Sequence, residues 1–402
     1  MKNLPEPLYL SAREAAAELA ISPASLYAYV SRGMIRSEPE PQSRGKRYRA
    51  EDVRALKNRR APPAGVARAG EADMPVLDTA ISTITEAGPL YRGVHAVALA
   101  DHATLEQAAT LLWDTSGPDA FAAGNLPVMN AAMCAIVSAT AEAAAIERAI
   151  AVLALAGDAD PTAFNRSADG RARTGARLMR LVAATILKTQ PSSLPLHRQI
   201  AQGWAPGNAA ATDLIRRALV LLADHELNAS TYTLRCAIST GLNIYDAAIA
   251  GLAALKGPKH GGAGPRAAHL VKDLADGSLA SKVRERVSTG ERIPGFGHSV
   301  YKNGDPRAAY LLAALSKAGA EERLAAEAPS LITEATGLYP NIDYALAVMM
   351  RLLGLPIGHE TALFAMARTA GWVAHGIEQL RADTLIRPRA RYVGPAPRGS
   401  TD

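Results

Sequence analysis

TDLIRRALVLLADHELNAS, residues 212–230, and IDYALAVMMRLLGL, residues 342–355, decide the fold class. Each is apolar nearly all round. A surface helix carries one apolar stripe, so an all-round pattern belongs to a helix buried at the centre of a large all-α protein. Aromatic residues make up only 5% of the chain while alanine and leucine abound, which favours helix over strand. No strand-period run survives beyond a few residues, and no repeat of 20–50 residues is visible. A chain of 402 residues exceeds one ordinary core and predicts two or three domains.

No apolar run reaches the roughly 18–20 residues of a membrane helix. The opening MKNLPEPLYLSAREAAAE has no apolar core followed by a cleavage site, so no secretory signal is expected. Cys134 and Cys236 sit far apart in apolar helical settings. They are expected to be buried reduced thiols rather than a disulfide or a metal pair. A cytoplasmic location is the corresponding expectation.

Residues 1–60 hold twelve Lys/Arg against seven Asp/Glu, and so carry five of the six net positive charges. That concentration points to a local anionic partner. Ser11 and Glu14 form a capping-box pattern before a first helix. Ser22-Pro23 starts a second short helix, which Gly33 ends. A Pro/Gly turn and a basic strand-like run follow. This order resembles a winged helix-turn-helix domain of the MerR/excisionase type. On duplex DNA, Ser25, Tyr27, Tyr29 and Arg32 would face the groove, and Arg44, Lys46, Arg47 and Arg49 the phosphates. A small solvated cap or a protein-docking unit would fit the same pattern. Residues 61–73, APPAGVARAGEAD, read as a flexible linker.

A second group of residues carries chemistry. In RIPGFGHSVYKNGDPRA, residues 292–308, His298 follows Gly295-Phe296-Gly297, where glycines let backbone pass close to a ligand. Asp305-Pro306 is a helix start, and Arg307 projects from its first turn, suited to bidentate carboxylate binding. His260 lies in GPKHGGAG, again between glycines. Asp343 follows Pro340-Asn341 in the first turn of a helix, where exposed N–H groups favour an ionised carboxylate of ordinary pKa, about 3.9. Taken singly, each has a bland alternative: a surface arginine, a solvated histidine, a dipole-stabilising aspartate.

Together, GPKHGGAG, RIPGFGHSVYKNGDPRA, NIDYAL, ALFAMARTAGWVAHGIEQL and IRPRARYVG occur in an order that resembles the citrate synthase family. LADHELNAST and LDTAISTITEAGPLYRG add to the match, which covers roughly residues 75–395. The resemblance implies an all-α homodimer with a large domain (74–264 and 366–402) and a small domain (265–365) after the winged unit and linker. It implies condensation of an acyl-CoA, acetyl-CoA or propionyl-CoA, with oxaloacetate, then thioester hydrolysis, with no metal or cofactor. By motif position Asp343 would be the base, His260 the donor to the enol and His298 the donor to the ketone. His225, Arg307 and Arg368 would bind the 2-oxo acid, with Arg387 supplied by the neighbouring subunit. Arg292, Gly295, Gly297 and Lys302 would meet coenzyme A.

The chain departs from the family pattern at several positions. Lys259 and Glu360 stand where apolar residues are usual, Gly264-Pro265 replaces Asn-Glu, Leu222 replaces a histidine and Ser299 an arginine. Lys259 and Glu360 are placed to change the site's electrostatics or substrate choice. A transcriptional regulator using the same fold as a ligand sensor is the alternative from another functional class.

Overall fold

The computed structural model describes residues 9–389, apart from 20, 22, 32, 41–44, 54–55, 57–76, 116 and 118, together with Gly394. The side chains of residues 23–25 and 28 also lie outside the description. The linker read at 61–73 falls among the undescribed residues.

The N-terminal unit opens with β1 (Tyr9–Ser11), α1 (Ala12–Glu18) and α2 (Pro23–Ser31), followed by β2 (Ser37–Pro39) and β3 (Lys46–Arg49). The capping box is present: Ser11 Oγ accepts from Glu14 N, and Ser11 N donates to the Glu14 carboxylate at 2.8 Å. The strands form an antiparallel sheet of order β1-β3-β2. Leu10, Leu26, Ile35, Tyr48 and Val53 close a small core of their own.

The rest begins with a second antiparallel sheet, β4 (Ser82–Thr85), β5 (Gly88–Tyr91) and β6 (Val94–His95). The mostly helical fold expected from the sequence is found, and this second small sheet is an addition to it. These six strands are two to four residues long, too short for an alternating pattern to stand out. Helices follow: α3 (Ala96–Leu99), α4 (Leu105–Trp113), α5 (Ala131–Ala139), α6 (Ala145–Ala159), α7 (Ala168–Leu187), α8 (Leu196–Trp204) and α9 (Ala209–Leu222). Then come α10 (Ala229–Ile238), α11 (Ile244–Leu255), α12 (Ala263–Leu274), α13 (Leu279–Ser288), α14 (Pro306–Lys317), α15 (Ala328–Thr336), α16 (Ile342–Leu352) and α17 (His359–Ala382).

Their starts are written in the sequence. Asn228, Asn243 and Asn341 cap α10, α11 and α16 through their side-chain oxygens, and Asp305 with Pro306 starts α14. α17 is the axis of the fold. It is 24 residues long and buried along most of its length. Glycines let its neighbours approach: a Cβ at Gly251 would sit 3.1 Å from the Trp372 ring, and one at Gly371 would overlap Ala223 and Asp224. One continuous apolar core runs from Ile81 to Ile377. The two cysteines are free, as expected, but half-buried rather than fully buried. No helix among the described residues is long and apolar enough to cross a membrane.

Candidate active site

The stretch 212–230 is helical at both ends but breaks in the middle. α9 stops at Leu222 and α10 starts after Asn228, leaving a loop that carries His225. Long-range bonds hold this loop. The Ser82 hydroxyl donates to Asp224, which is wholly buried and also faces His375 at 3.4 Å. Glu226 N donates to the same carboxylate at 3.1 Å, and Gly371 N to Ala223 O at 3.0 Å. Tyr91, from β5, donates its hydroxyl to carbonyls at the end of α9. None of these contacts is visible as a motif, because the partners come from two distant segments, the β4–β5 hairpin and α17.

His225, His260, His298, Arg307, Asp343 and Arg368 line one cavity of about 420 Å³. The His225 and His298 rings meet edge to face with centroids 5.5 Å apart, and the Tyr301 hydroxyl lies 3.0 Å from His225 Nε2. Burial, Arg307 and Arg368 push His225 strongly towards its neutral form. His298 Nδ1 accepts from Val300 N at 3.0 Å and from Tyr301 N at 3.3 Å. The proton of the neutral ring therefore sits on Nε2, as a donor. Burial and the Arg307 charge lower the pKa of His298 as well.

His260 Nε2 is 2.8 Å from Ser230 Oγ, whose other neighbour is Asn228 Oδ1 at 2.8 Å. Burial, then Arg368, lowers this histidine to about 4, so it is neutral near pH 7. Ser230 donates its single proton to Asn228 Oδ1, an acceptor only, and its oxygen holds the His260 ring through Nε2. Sequence reasoning missed Ser230. The signal was present in LNAS, where a cap residue and a hydroxyl follow His225 closely.

Asp305 does more than start a helix. Its carboxylate takes Arg307 Nε at 3.0 Å and Nη2 at 2.8 Å, and accepts from Ile342 N at 3.1 Å. Arg307 is 2% exposed and held in one orientation. Arg368 is 1% exposed, donates from Nε to Leu222 O at 2.9 Å, and leaves a buried Nη1 without a partner. Burial lowers it to about 10. An unpaired buried guanidinium at a cavity wall is a receptor for an anion.

Asp343 lies in the first turn of α16, where its backbone N–H donates to Asn341 Oδ1 at 3.0 Å. Its carboxyl is not at the ordinary value expected from its place at a helix start. Burial pushes it up to about 6; Arg307 opposes that, while Asp305 and Glu360 add to it. Desolvation outweighs the helix terminus here.

Gly295 and Gly297 act through the backbone. Both have φ near +80°, and they strap the loop to the start of α16: Gly297 N to Tyr339 O at 2.8 Å, Asn341 N to Gly295 O at 2.8 Å, and Asn341 Nδ2 to Gly297 O at 2.9 Å. Lys302 lines a neighbouring cavity of about 540 Å³, beside Tyr301 and Tyr339. Arg292 and Arg387 are exposed and line neither cavity. Among the described residues no cluster of three or more His, Cys, Asp or Glu could hold a metal ion.

The N-terminal candidates are scattered. Tyr27 and Lys46 are exposed, whereas Tyr29 is half-buried against the small core. Arg47 stacks on Tyr9 at 4.1 Å and pairs with Glu38 at 3.3 Å; Arg49 faces Glu38 at 3.8 Å. Those two arginines are therefore partly neutralised within the sheet. Ser25 lies in α2 with its side chain undescribed, and Arg32 and Arg44 lie outside the described residues.

The family described as "Citrate synthase, C-terminal domain" matches residues 70–389. Citrate synthase 2 of Bacillus subtilis is 38% identical over 190 residues, 46% of this chain and 51% of its own. 2-Methylcitrate synthase 1 of Corynebacterium glutamicum is 35% identical over 263 residues, 59% of this chain and 69% of its own. The match to the Bacillus protein thus spans about half of that relative's length. Among solved structures, citrate synthase from Thermotoga maritima MSB8 superposes with a TM-score of 0.67 at 26% identity, covering 82% of this chain and 96% of that one. The ternary complex of carboxymethyl coenzyme A and oxaloacetate with citrate synthase from Thermoplasma acidophilum gives 0.67 at 27%, covering 82% and 97%.

Proposed function

Because the chain belongs to the citrate synthase family, we propose that it condenses an acyl-CoA with oxaloacetate and hydrolyses the resulting thioester. The observation that carries this reading is the convergence of His260, His298 and Asp343 on one cavity that also holds Arg307 and Arg368. Arg307 and Arg368 would bind the carboxylates of the 2-oxo acid. His298 Nε2–H would donate to its ketone oxygen. Asp343 would take a proton from the carbon next to the thioester carbonyl. His260, held in place by Ser230, would donate to the thioester oxygen as charge builds there. The enol carbon then attacks the polarised ketone, and water releases coenzyme A from the product thioester. The thioester is a substrate, and the reading calls for no resident cofactor. Relatives named for citrate and for 2-methylcitrate both support it, so acetyl-CoA and propionyl-CoA are the substrates to try.

The division into a large domain (74–264 and 366–402) and a small one (265–365) fits this chemistry, since closure would exclude water from the enol. A homodimer fits the position of Arg387, which is outside its own chain's cavity and free to serve a neighbour's. Gly295, Gly297 and Lys302 would frame the coenzyme arm, with Arg292 at its outer end. A cytoplasmic location accords with the free cysteines.

Residues 1–60 support a second role. The pair α1 and α2 beside a three-stranded sheet suits a winged helix-turn-helix unit on DNA, with exposed Tyr27 and Lys46 as its contacts. Binding to duplex DNA that weakens steeply with salt is the expected result; salt-insensitive binding or none would sink it.

The test of the main reading is free-thiol release from acetyl-CoA and propionyl-CoA with oxaloacetate. Turnover that disappears in Asp343→Ala is expected. A folded protein that binds oxaloacetate and turns over neither thioester would favour the sensor reading instead.

A further inference from the structure

α17 presents Glu360, Phe364 and Arg368 to the same cavity, one helical turn apart each. At about 1.5 Å per residue this stripe spans roughly 12 Å. Its order follows the chemistry. Arg368 marks the 2-oxo acid end, its guanidinium 4.6 Å from the Phe364 ring. Phe364 meets His260 edge to face at 6.1 Å. Glu360 lies one turn before Phe364 on α17 and lines the same cavity, at the opposite end of the stripe from Arg368.

Glu360 is an unusual wall for an alkyl group. It is 1% exposed. Both its oxygens lie within reach of Gly358 N, at 3.0 and 2.9 Å, and its own backbone N–H is the second donor, so only backbone groups hold it. No salt bridge reaches it among the described residues. A carboxylate offers about four acceptor positions, so part of its capacity is unused. Burial raises its pKa, against the two backbone N–H groups that hold it, and no cation among the described residues pairs with it. Space for it has been cleared at Gly264, where a Cβ would come within 2.8 Å of Glu360 Cγ and 3.1 Å of Thr361 Oγ1. The tight contact is with the Cγ methylene, so the glycine at 264 makes room for a long side chain at 360.

Resting on the condensation reading above, we propose that Glu360 is a specificity residue for an acyl thioester whose acyl chain carries a hydrogen-bond donor, a hydroxyl or an ammonium, beyond the carbon that loses its proton. A donor there completes the carboxylate's hydrogen bonds, whereas a plain alkyl chain desolvates it and leaves its remaining acceptor positions empty. Sites built to bond a substrate hydroxyl discriminate far more strongly than sites that only measure size.

The test uses the full chain with oxaloacetate and three thioesters: 3-hydroxypropionyl-CoA, 3-aminopropionyl-CoA and butyryl-CoA, the last matching their size without a donor. Wild type is expected to favour one of the donor-bearing thioesters over butyryl-CoA in kcat/KM by at least about tenfold. Glu360→Met is expected to abolish or invert that ratio. Glu360→Gln keeps an acceptor for Gly358 N and carries the test if the methionine variant does not fold; it should lose the preference for the ammonium first. Equal rates for all three in wild type, or a ratio unchanged in both variants, would overturn the proposal. So would a KM rise common to every thioester, which would make Glu360 a contact for the shared coenzyme arm. Melting of the oxaloacetate complex with each thioester gives the same comparison without turnover. A donor-selective shift lost in Glu360→Met supports Glu360 even where no thiol is released; equal shifts refute it.

Discussion

Asp305 and Arg307 form a fork-to-fork pair, at 3.0 and 2.8 Å, inside a site where both are almost fully buried. The same carboxylate accepts from Ile342 N, one residue before Asp343. One side chain thus fixes both the carboxylate clamp and the helix end that carries the base. Replacing it with Asn halves the fork and leaves Arg307 poorly paired. Breaking a buried pair typically costs about 3–5 kcal/mol. Asp305→Asn should lower the melting temperature and raise KM for oxaloacetate at least about tenfold. A variant with wild-type KM and melting would contradict this role.

Asp343 sets a pH signature. Its folded pKa of about 6 lies above the unfolded value of about 3.9. Stability from this group is therefore fully present below about pH 4 and lost as pH rises through about 6. Asp343→Asn should be inactive, yet melt higher than wild type at pH 7.5, by on the order of 2 kcal/mol. The difference should vanish near pH 4. Activity of the wild type should rise along an acidic limb centred near 6, when kcat is measured against pH.

His298 has its tautomer fixed by two backbone amides. Nitrogen NMR of the histidines should show a neutral ring protonated at Nε2 at pH 7. His298→Ala removes the ketone donor, and kcat should fall about 10²–10³-fold. A fall below fivefold would remove His298 from the chemistry.

Ser230 is expected to control His260. Ser230→Ala frees Nε2 and lets the ring take either tautomer. A tenfold or greater loss of kcat with little change in oxaloacetate affinity is the expected split, read by steady-state kinetics and by ligand-induced melting shifts.

Gly295 tests the strap between loop and helix. At φ +79° a Cβ would lie 2.8 Å from Tyr344 Cβ and 3.2 Å from its Cα. Gly295→Ala should destabilise the fold and reduce kcat together. Gly290→Ala, at φ +69° with open space around it, should cost about 1 kcal/mol and spare kcat.

The buried helices were legible because apolar residues run all round 342–355, and His260 and His298 because glycines stand beside them. The helix starts were legible because Asn341 and Asp305 are local signals. What stayed hidden depends on distance along the chain. Ser82, Tyr91 and His375 reach the His225 loop from segments roughly 130–150 residues away. The short β4–β5 hairpin that supplies two of them is below the length at which alternation can be read. The raised pKa of Asp343 was hidden too, since a helix start announces itself in sequence and burial does not. Glu360 was visible only as an odd residue; the space at Gly264 that explains it lies 96 positions earlier.

The strap joining Gly295-Phe296-Gly297 to Tyr339 and Asn341 has one more consequence. It welds the ketone donor and the base into a single casting. Sequence drift on the outer faces of α14, α15 and α16 then shifts both groups as one body, and the gap between them keeps its tolerance. What such drift can spoil is only the fit of that casting against His260 and Arg368, across the mouth of the cavity. An engineer who wants a new substrate therefore has Glu360 and Phe364 of α17 to recut, because the part that sets the reaction's alignment is gauged separately.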